Sequence, residues 1–166
     1  MNPYQASERT EKICRLAPVI PVLVVQNPET ARPLAEALIS GGLPVLEITL
    51  RTKSALQVIS EMAKVPGAVV GAGTITKSND IKDAVNAGAS FAVSPGVTDT
   101  ILEESERHNL AIMPGAATPS EIMRLFEFGY SVQKFFPAEA NGGRAALKAI
   151  AGPLPNVKFC PTGGIN

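Results

Sequence analysis

The chain has 166 residues, 45% of them hydrophobic and 18% charged, and its 15 basic and 15 acidic side chains leave no net charge. That length supports one domain with its own core, and the charge balance gives no reason to expect nucleic acid or another polyanion as a partner. No run of about 18 apolar residues is available to span a membrane. The opening MNPYQASERTEK lacks the basic-then-apolar order of a signal peptide, so no membrane partner and a cytoplasmic location are expected.

In chain order, a helix is expected at about Ser7–Leu16, followed by short apolar runs that alternate with longer amphipathic stretches. The strands expected are Val19–Val25, Val45–Leu50, Val69–Thr74, Phe91–Val93, Ala111–Met113, Val132–Phe136 and Val157–Cys160. Between them the pattern predicts helices near Glu29–Ser40, Ser54–Lys64, Ser78–Ala87, Asp99–Asn109, Pro119–Phe128 and Arg144–Ala151. Ser54, Ser78 and Thr118 are placed to open helices, and Gly41-Gly42, Gly88 and Gly129 to close them. No linker, charge block or low-complexity segment interrupts the series, so residues 1–166 read as a single domain.

Alternating strands and helices imply a parallel sheet covered by helices, either an open doubly wound sheet or a closed barrel. No GxGxxG follows the first strand, so a dinucleotide site has no support. Small residues recur instead just beyond strand ends: GAGT at 71–74, SPG at 94–96, MPG at 113–115, FFPA at 135–138 and PTGG at 161–164. In a barrel all these ends meet at one mouth, where active sites are built. The barrel is therefore the expected fold.

One lysine, Lys134, lies within the apolar strand VQKFF. Burial disfavours an ammonium ion, and a neutral amine is what Schiff-base chemistry requires. A lysine whose stem is buried while its head reaches water is the alternative. A second strand, VLEITLR, places Glu47, Thr49 and Arg51 on one face and Leu46, Ile48 and Leu50 on the other. A glutamate near a buried amine suits proton transfer, whereas a plain Glu47–Arg51 salt bridge is the structural alternative. Thr74 could simply satisfy backbone at a strand end, and Glu139 reads as a loop or helix-start carboxylate. His108, the single histidine, sits among Glu103, Glu104, Glu106 and Arg107 on a polar helix, so no histidine metal site is expected. Cys14 and Cys160 are too few for a disulfide framework and are expected to be reduced.

Taken in order and at this spacing, LEITLRT, VGAGT, SPG, KFFPAEANGG and FCPTGGI closely resemble the 2-keto-3-deoxy-6-phosphogluconate (KDPG) aldolases, a class I family that includes 4-hydroxy-2-oxoglutarate aldolases. The resemblance runs from about Val19 to the last residue. It implies a TIM (β/α)8-type barrel with an added N-terminal helix, a homotrimer, a small-molecule keto-acid substrate, and no cofactor or metal. It also implies that Lys134 forms the Schiff base, Glu47 is the general acid/base, Arg51 holds the pyruvate carboxylate and Thr74 binds substrate. Thr162, Gly163 and Gly164 then match part of the phosphate-binding mouth. The implied reaction cleaves 2-dehydro-3-deoxy-6-phosphogluconate to pyruvate and glyceraldehyde 3-phosphate, as in carbohydrate breakdown by the Entner–Doudoroff route.

Length is the one departure. About seven strands are expected before the chain stops at Asn166, so the family's last helix, strand and helix are absent and the barrel is expected to be incomplete, leaving bare strand edges. Truncation is the preferred explanation, over completion by another chain or a folded, inactive remnant. The alternatives to KDPG cleavage are 4-hydroxy-2-oxoglutarate cleavage to pyruvate and glyoxylate, or a non-catalytic barrel fragment.

Overall fold

The structure is a computed structural model that describes residues 1–165. Helix α1 (Pro3–Cys14) begins earlier than its apolar spacing suggests because Asn2 and Gln5 cap it reciprocally. The Asn2 side chain accepts from the Gln5 amide at 2.9 Å, and the Asn2 amide donates to the Gln5 side chain at 3.1 Å. Pro3 suits the first helical position because no amide is needed there.

The remaining elements follow the predicted order. They are β1 (Val22–Leu23), α2 (Ala31–Ser40), β2 (Val45–Thr49), α3 (Ala55–Met62), β3 (Val69–Gly73), α4 (Ser78–Asn86), β4 (Phe91–Val93), α5 (Asp99–Arg107), β5 (Ala111–Met113), β6 (Gly115–Ala116), α6 (Pro119–Glu127), β7 (Val132–Phe135), α7 (Gly143–Ala151) and β8 (Lys158–Pro161). Strand β1 is shorter than the expected Val19–Val25. Pro18 and Pro21 have no amide to donate, and its described ladder is with β2 alone.

All described pairings are parallel, in the order β1-β2-β3-β4-β5 and β6-β7-β8. Pro114 separates β5 from β6, but its carbonyl accepts from the Lys134 amide at 2.9 Å. The two short strands therefore share one position in the wall, which gives seven strand positions in a barrel-type curl. Among the described residues, β1 and β8 do not pair with each other.

Two apolar clusters mark the two faces of this wall. Leu46, Ile48, Ala72, Ala92 and Ile112 point outward and pack beneath the helices, while Val45, Phe91, Val93 and Met113 point inward with Ile13 of α1. Helix α1 thus plugs the end of the barrel where the strands begin. Ser7 Oγ there donates to the Gly129 carbonyl at 3.1 Å and accepts from the Ser131 amide at 2.9 Å. With that end filled, a ligand must enter where the strands finish.

Thr118 caps α6 as expected, accepting from the Glu121 amide, and the Glu121 carboxylate accepts from the Ala117 and Thr118 amides. Ser54 also stands at the N-cap of α3, as expected, but its side chain makes no capping bond. Ser54 Oγ instead donates to the Gln26 carbonyl at 2.7 Å. At α4 the stronger acceptor wins, and Asp80 rather than Ser78 accepts from the Thr76 and Lys77 amides. His108 ends α5 paired with Glu104 at 2.9 Å, away from the strand ends.

Candidate active site

Lys134 lies at the centre of β7, opposite Gly115 on one side and Cys160 on the other. Gln133 and Phe135 point outward; Gln133 is held by its amide donating to the Ile122 and Tyr130 carbonyls. That alternation turns Lys134 into the barrel, where it is only 5% exposed. Its ammonium nitrogen lies 3.4 Å from Glu47 Oε1 and 5.2 Å from the centre of the Phe136 ring.

Glu47 reaches the same interior from β2 and is 4% exposed. The two side chains come from positions 87 residues apart. Burial pushes the Glu47 carboxyl above the ordinary carboxylate range, with Lys134 and then Arg51 pulling the other way. The sequence-level alternative of a Glu47–Arg51 salt bridge is not what forms: the ion partner of Glu47 is Lys134.

Gly73, which sequence reasoning did not single out, makes this approach possible. A Cβ added there would stand 2.3 Å from Glu47 Oε1, so no larger residue fits without moving the carboxylate. The signal was present in the small residues of GAGT, but only the pairing of β2 with β3 shows which side chain needs the space.

Arg51 follows β2 and is exposed at the rim. Its Nε donates to Thr74 Oγ1 at 3.2 Å. Thr74 has φ 61°, in the left-handed region that a β-branched residue rarely adopts. Thr49, on the same face of β2 as Glu47, is fully buried and donates to the Leu23 carbonyl at 3.0 Å, tying β2 to β1.

A cavity of about 700 Å³ opens above the pair, and Glu47, Arg51, Lys134, Thr162, Gly163 and Gly164 all line it. Thr74 is not among its lining residues and meets the site through Arg51. The Thr162–Gly164 turn is stitched to the loop after β7. The Ala138 amide donates to the Thr162 carbonyl at 2.8 Å, and the Glu139 amide to the Gly163 carbonyl at 3.0 Å. Glu139 itself is exposed, its methylenes pressed on Gly164, which has φ 79°. The arrangement offers a buried amine, a carboxyl 3.4 Å from it, a guanidinium at the entrance and a turn of small residues facing them. Among the described residues, no three histidine, cysteine or acidic side chains gather to hold a metal ion.

The profile of the KDPG and KHG aldolases matches residues 10–166. A 2-dehydro-3-deoxy-phosphogluconate aldolase of Pseudoalteromonas atlantica is 52% identical over 150 residues, covering 90% of this chain and 70% of that protein. The crystal structure of the Zymomonas mobilis ZM4 2-keto-3-deoxy-6-phosphogluconate aldolase with 3-phosphoglycerate superposes with a TM-score of 0.93 at 46% identity, covering 96% of this chain and 77% of that one. A KDPG aldolase from Legionella pneumophila, in which pyruvate was captured as a covalent carbinolamine, gives a TM-score of 0.89 at 47% identity, covering 93% and 75%. With a barrel of the same form and a matching profile along nearly its whole length, the chain belongs to the KDPG and KHG aldolase family.

Proposed function

We propose that this chain is a class I aldolase that cleaves 2-dehydro-3-deoxy-6-phosphogluconate to pyruvate and glyceraldehyde 3-phosphate through an imine on Lys134. The observation that carries this reading is the buried Lys134–Glu47 pair at 3.4 Å. The Legionella relative with pyruvate captured as a carbinolamine and the relatives named for the phosphogluconate reaction support the substrate class.

In this mechanism the Lys134 amine attacks the C2 ketone, and Glu47 moves the protons that convert the carbinolamine to an imine. Glu47 then takes the proton of the C4 hydroxyl as the C3–C4 bond breaks. The bonding pair passes into the imine nitrogen, giving an enamine that is protonated and hydrolysed to pyruvate. Arg51 grips the C1 carboxylate through parallel hydrogen bonds, and Thr74 steadies Arg51. The Thr162–Gly164 turn receives the phosphate end of the substrate. 4-Hydroxy-2-oxoglutarate, a substrate of the same family by its name, would use the same imine and leave that turn empty.

Residues 1–166 are read as one barrel domain, with the homotrimer as the working assembly and the cytoplasm as its location. Met123, Phe126 and Phe128 are 38–50% exposed and Tyr4 is 67% exposed, an apolar surface that self-association would cover. The two free thiols fit a reducing compartment. Sedimentation equilibrium should give three times the chain mass; a monomer at micromolar concentration would rule the trimer out.

Borohydride reduction in the presence of pyruvate should leave a pyruvyl adduct on Lys134 and none on Lys134→Ala. An adduct on another lysine, or none on a folded chain, would overturn the assignment.

Glu47→Gln should lower turnover by about 10²- to 10⁴-fold and alter how stability depends on pH. The unfolded carboxyl titrates at its ordinary value, while the folded one titrates higher. Between the two values the folded chain holds more protons, so its stability falls as pH rises. Glutamine does not titrate, so the difference in melting temperature between variant and parent should shift in favour of the variant as pH rises above the ordinary carboxylate value, whatever its size at acid pH. A pH-independent gap would contradict the raised carboxyl.

Thr74→Gly should relieve backbone strain of order 1–3 kcal/mol, partly offset by roughly 0.5–1 kcal/mol of added chain entropy. The variant should unfold at equal or higher urea concentration yet need more pyruvate for trapping, while Thr74→Ser should trap like the parent. Lower stability with unchanged pyruvate dependence would make Thr74 a purely structural residue.

A further inference from the structure

Neither cysteine has a part in the mechanism, yet both line one cavity of about 300 Å³ between α1 and β8. The side chains around them set this juxtaposition. Glu11 of α1 meets Lys158 of β8 at 2.6 Å. Cys14 lies three residues beyond Glu11, on the same helix face. Cys160 lies two residues beyond Lys158, on the same strand face. An ion pair that joins the first members therefore brings the second members to the same cavity.

Both cysteines also pack against the single apolar cluster inside the barrel, beside Ile13 and Ile20. Burial pushes the Cys14 thiol up to about 11, with the neighbouring Cys160 the next contributor. Each cysteine is half-buried and carries a free thiol. Cys160 borders the reaction cavity as well, and it is the cross-strand neighbour of Lys134.

We propose that Cys14 and Cys160 form a dithiol modification site, which a low-molecular-weight disulfide such as oxidised glutathione converts to an intramolecular disulfide clamping α1 to β8. One protein thiol attacks the oxidant through the small thiolate fraction that its raised pKa leaves, slowly at neutral pH and faster at alkaline pH, releasing one small thiol and leaving a mixed disulfide. The second protein thiol attacks the protein sulfur of that mixed disulfide and releases the other small thiol. One S–S bond forms in the protein and one breaks in the oxidant. Two electrons pass to the oxidant, and the two thiol protons leave with the two small thiols. The clamp ties the helix that plugs the barrel to the strand beside Lys134. It does not depend on which substrate the enzyme cleaves.

The test treats the reduced full chain with oxidised glutathione under native conditions and then blocks remaining thiols with iodoacetamide. Intact mass should show the loss of two hydrogens and no alkylation, and a non-reducing peptide map should join Cys14 to Cys160. The oxidised chain should melt about 5–10 °C higher, because a crosslink closing most of the chain restricts the unfolded state, and dithiothreitol should reverse the rise. Cys14→Ser should block the crosslink and leave a glutathione adduct on Cys160. If that variant does not fold, Cys160→Ser gives the mirror control, with the adduct on Cys14. Two alkylated thiols on the treated parent, separate glutathione adducts on both cysteines, or a crosslink between chains would each overturn the proposal.

Discussion

Lys134 and Glu47, held 3.4 Å apart in the barrel interior, set the terms for everything around them. Two ions withdrawn from water cost several kcal/mol each unless they are paired closely. The barrel meets that cost through geometry. Alternation along β2 and β7 turns both side chains inward, and their 3.4 Å contact places them at one level of the interior. Gly73 leaves the volume into which the Glu47 carboxylate fits. The pairing is incomplete, since burial still outweighs both cations in raising the Glu47 carboxyl. A fully satisfied salt bridge would hold the carboxylate in its ionised form, whereas burial here makes it easier to protonate than an ordinary carboxylate.

The surrounding architecture has the same asymmetry. At the start of the strands the barrel is closed by α1, with Ile13 in the interior and Ser7 bonded to the chain before β7. At the other end small residues leave the mouth open, and Arg51 and the Thr162–Gly164 turn face one cavity. A keto acid has its carboxylate at one end and its reactive ketone next to it. A guanidinium at the rim and an amine below it match that order. Thr74 illustrates the local cost: a β-branched residue at φ 61° is held where its hydroxyl meets Arg51.

Much of this was legible in the order of residues. The alternation of short apolar runs and amphipathic stretches is a local property, so the parallel strands and covering helices could be read directly. A lysine within VQKFF announces itself because strands of that kind rarely carry one. Where apolar spacing failed, the hydrogen-bonding chemistry of residues close by in the chain decided the matter. Strand β1 shortened because prolines remove its donors, Ser78 lost its capping role to Asp80, and Asn2 with Gln5 started α1 early.

The fold class, the strand that carries Lys134, the strand that carries Glu47 and the motifs that align the chain with its family can all be read along the chain alone. These follow from periods of two and 3.6 residues and from short contiguous strings, which need no knowledge of partners. Packing in three dimensions settled that Glu47 pairs with Lys134 rather than with Arg51, that Gly73 must be small, that Thr74 meets Arg51, and that Cys14 and Cys160 line one cavity. Each of those facts is a meeting of residues far apart in the chain. It depends on strand register and on which inward positions share a layer of the barrel, quantities that a linear pattern does not contain.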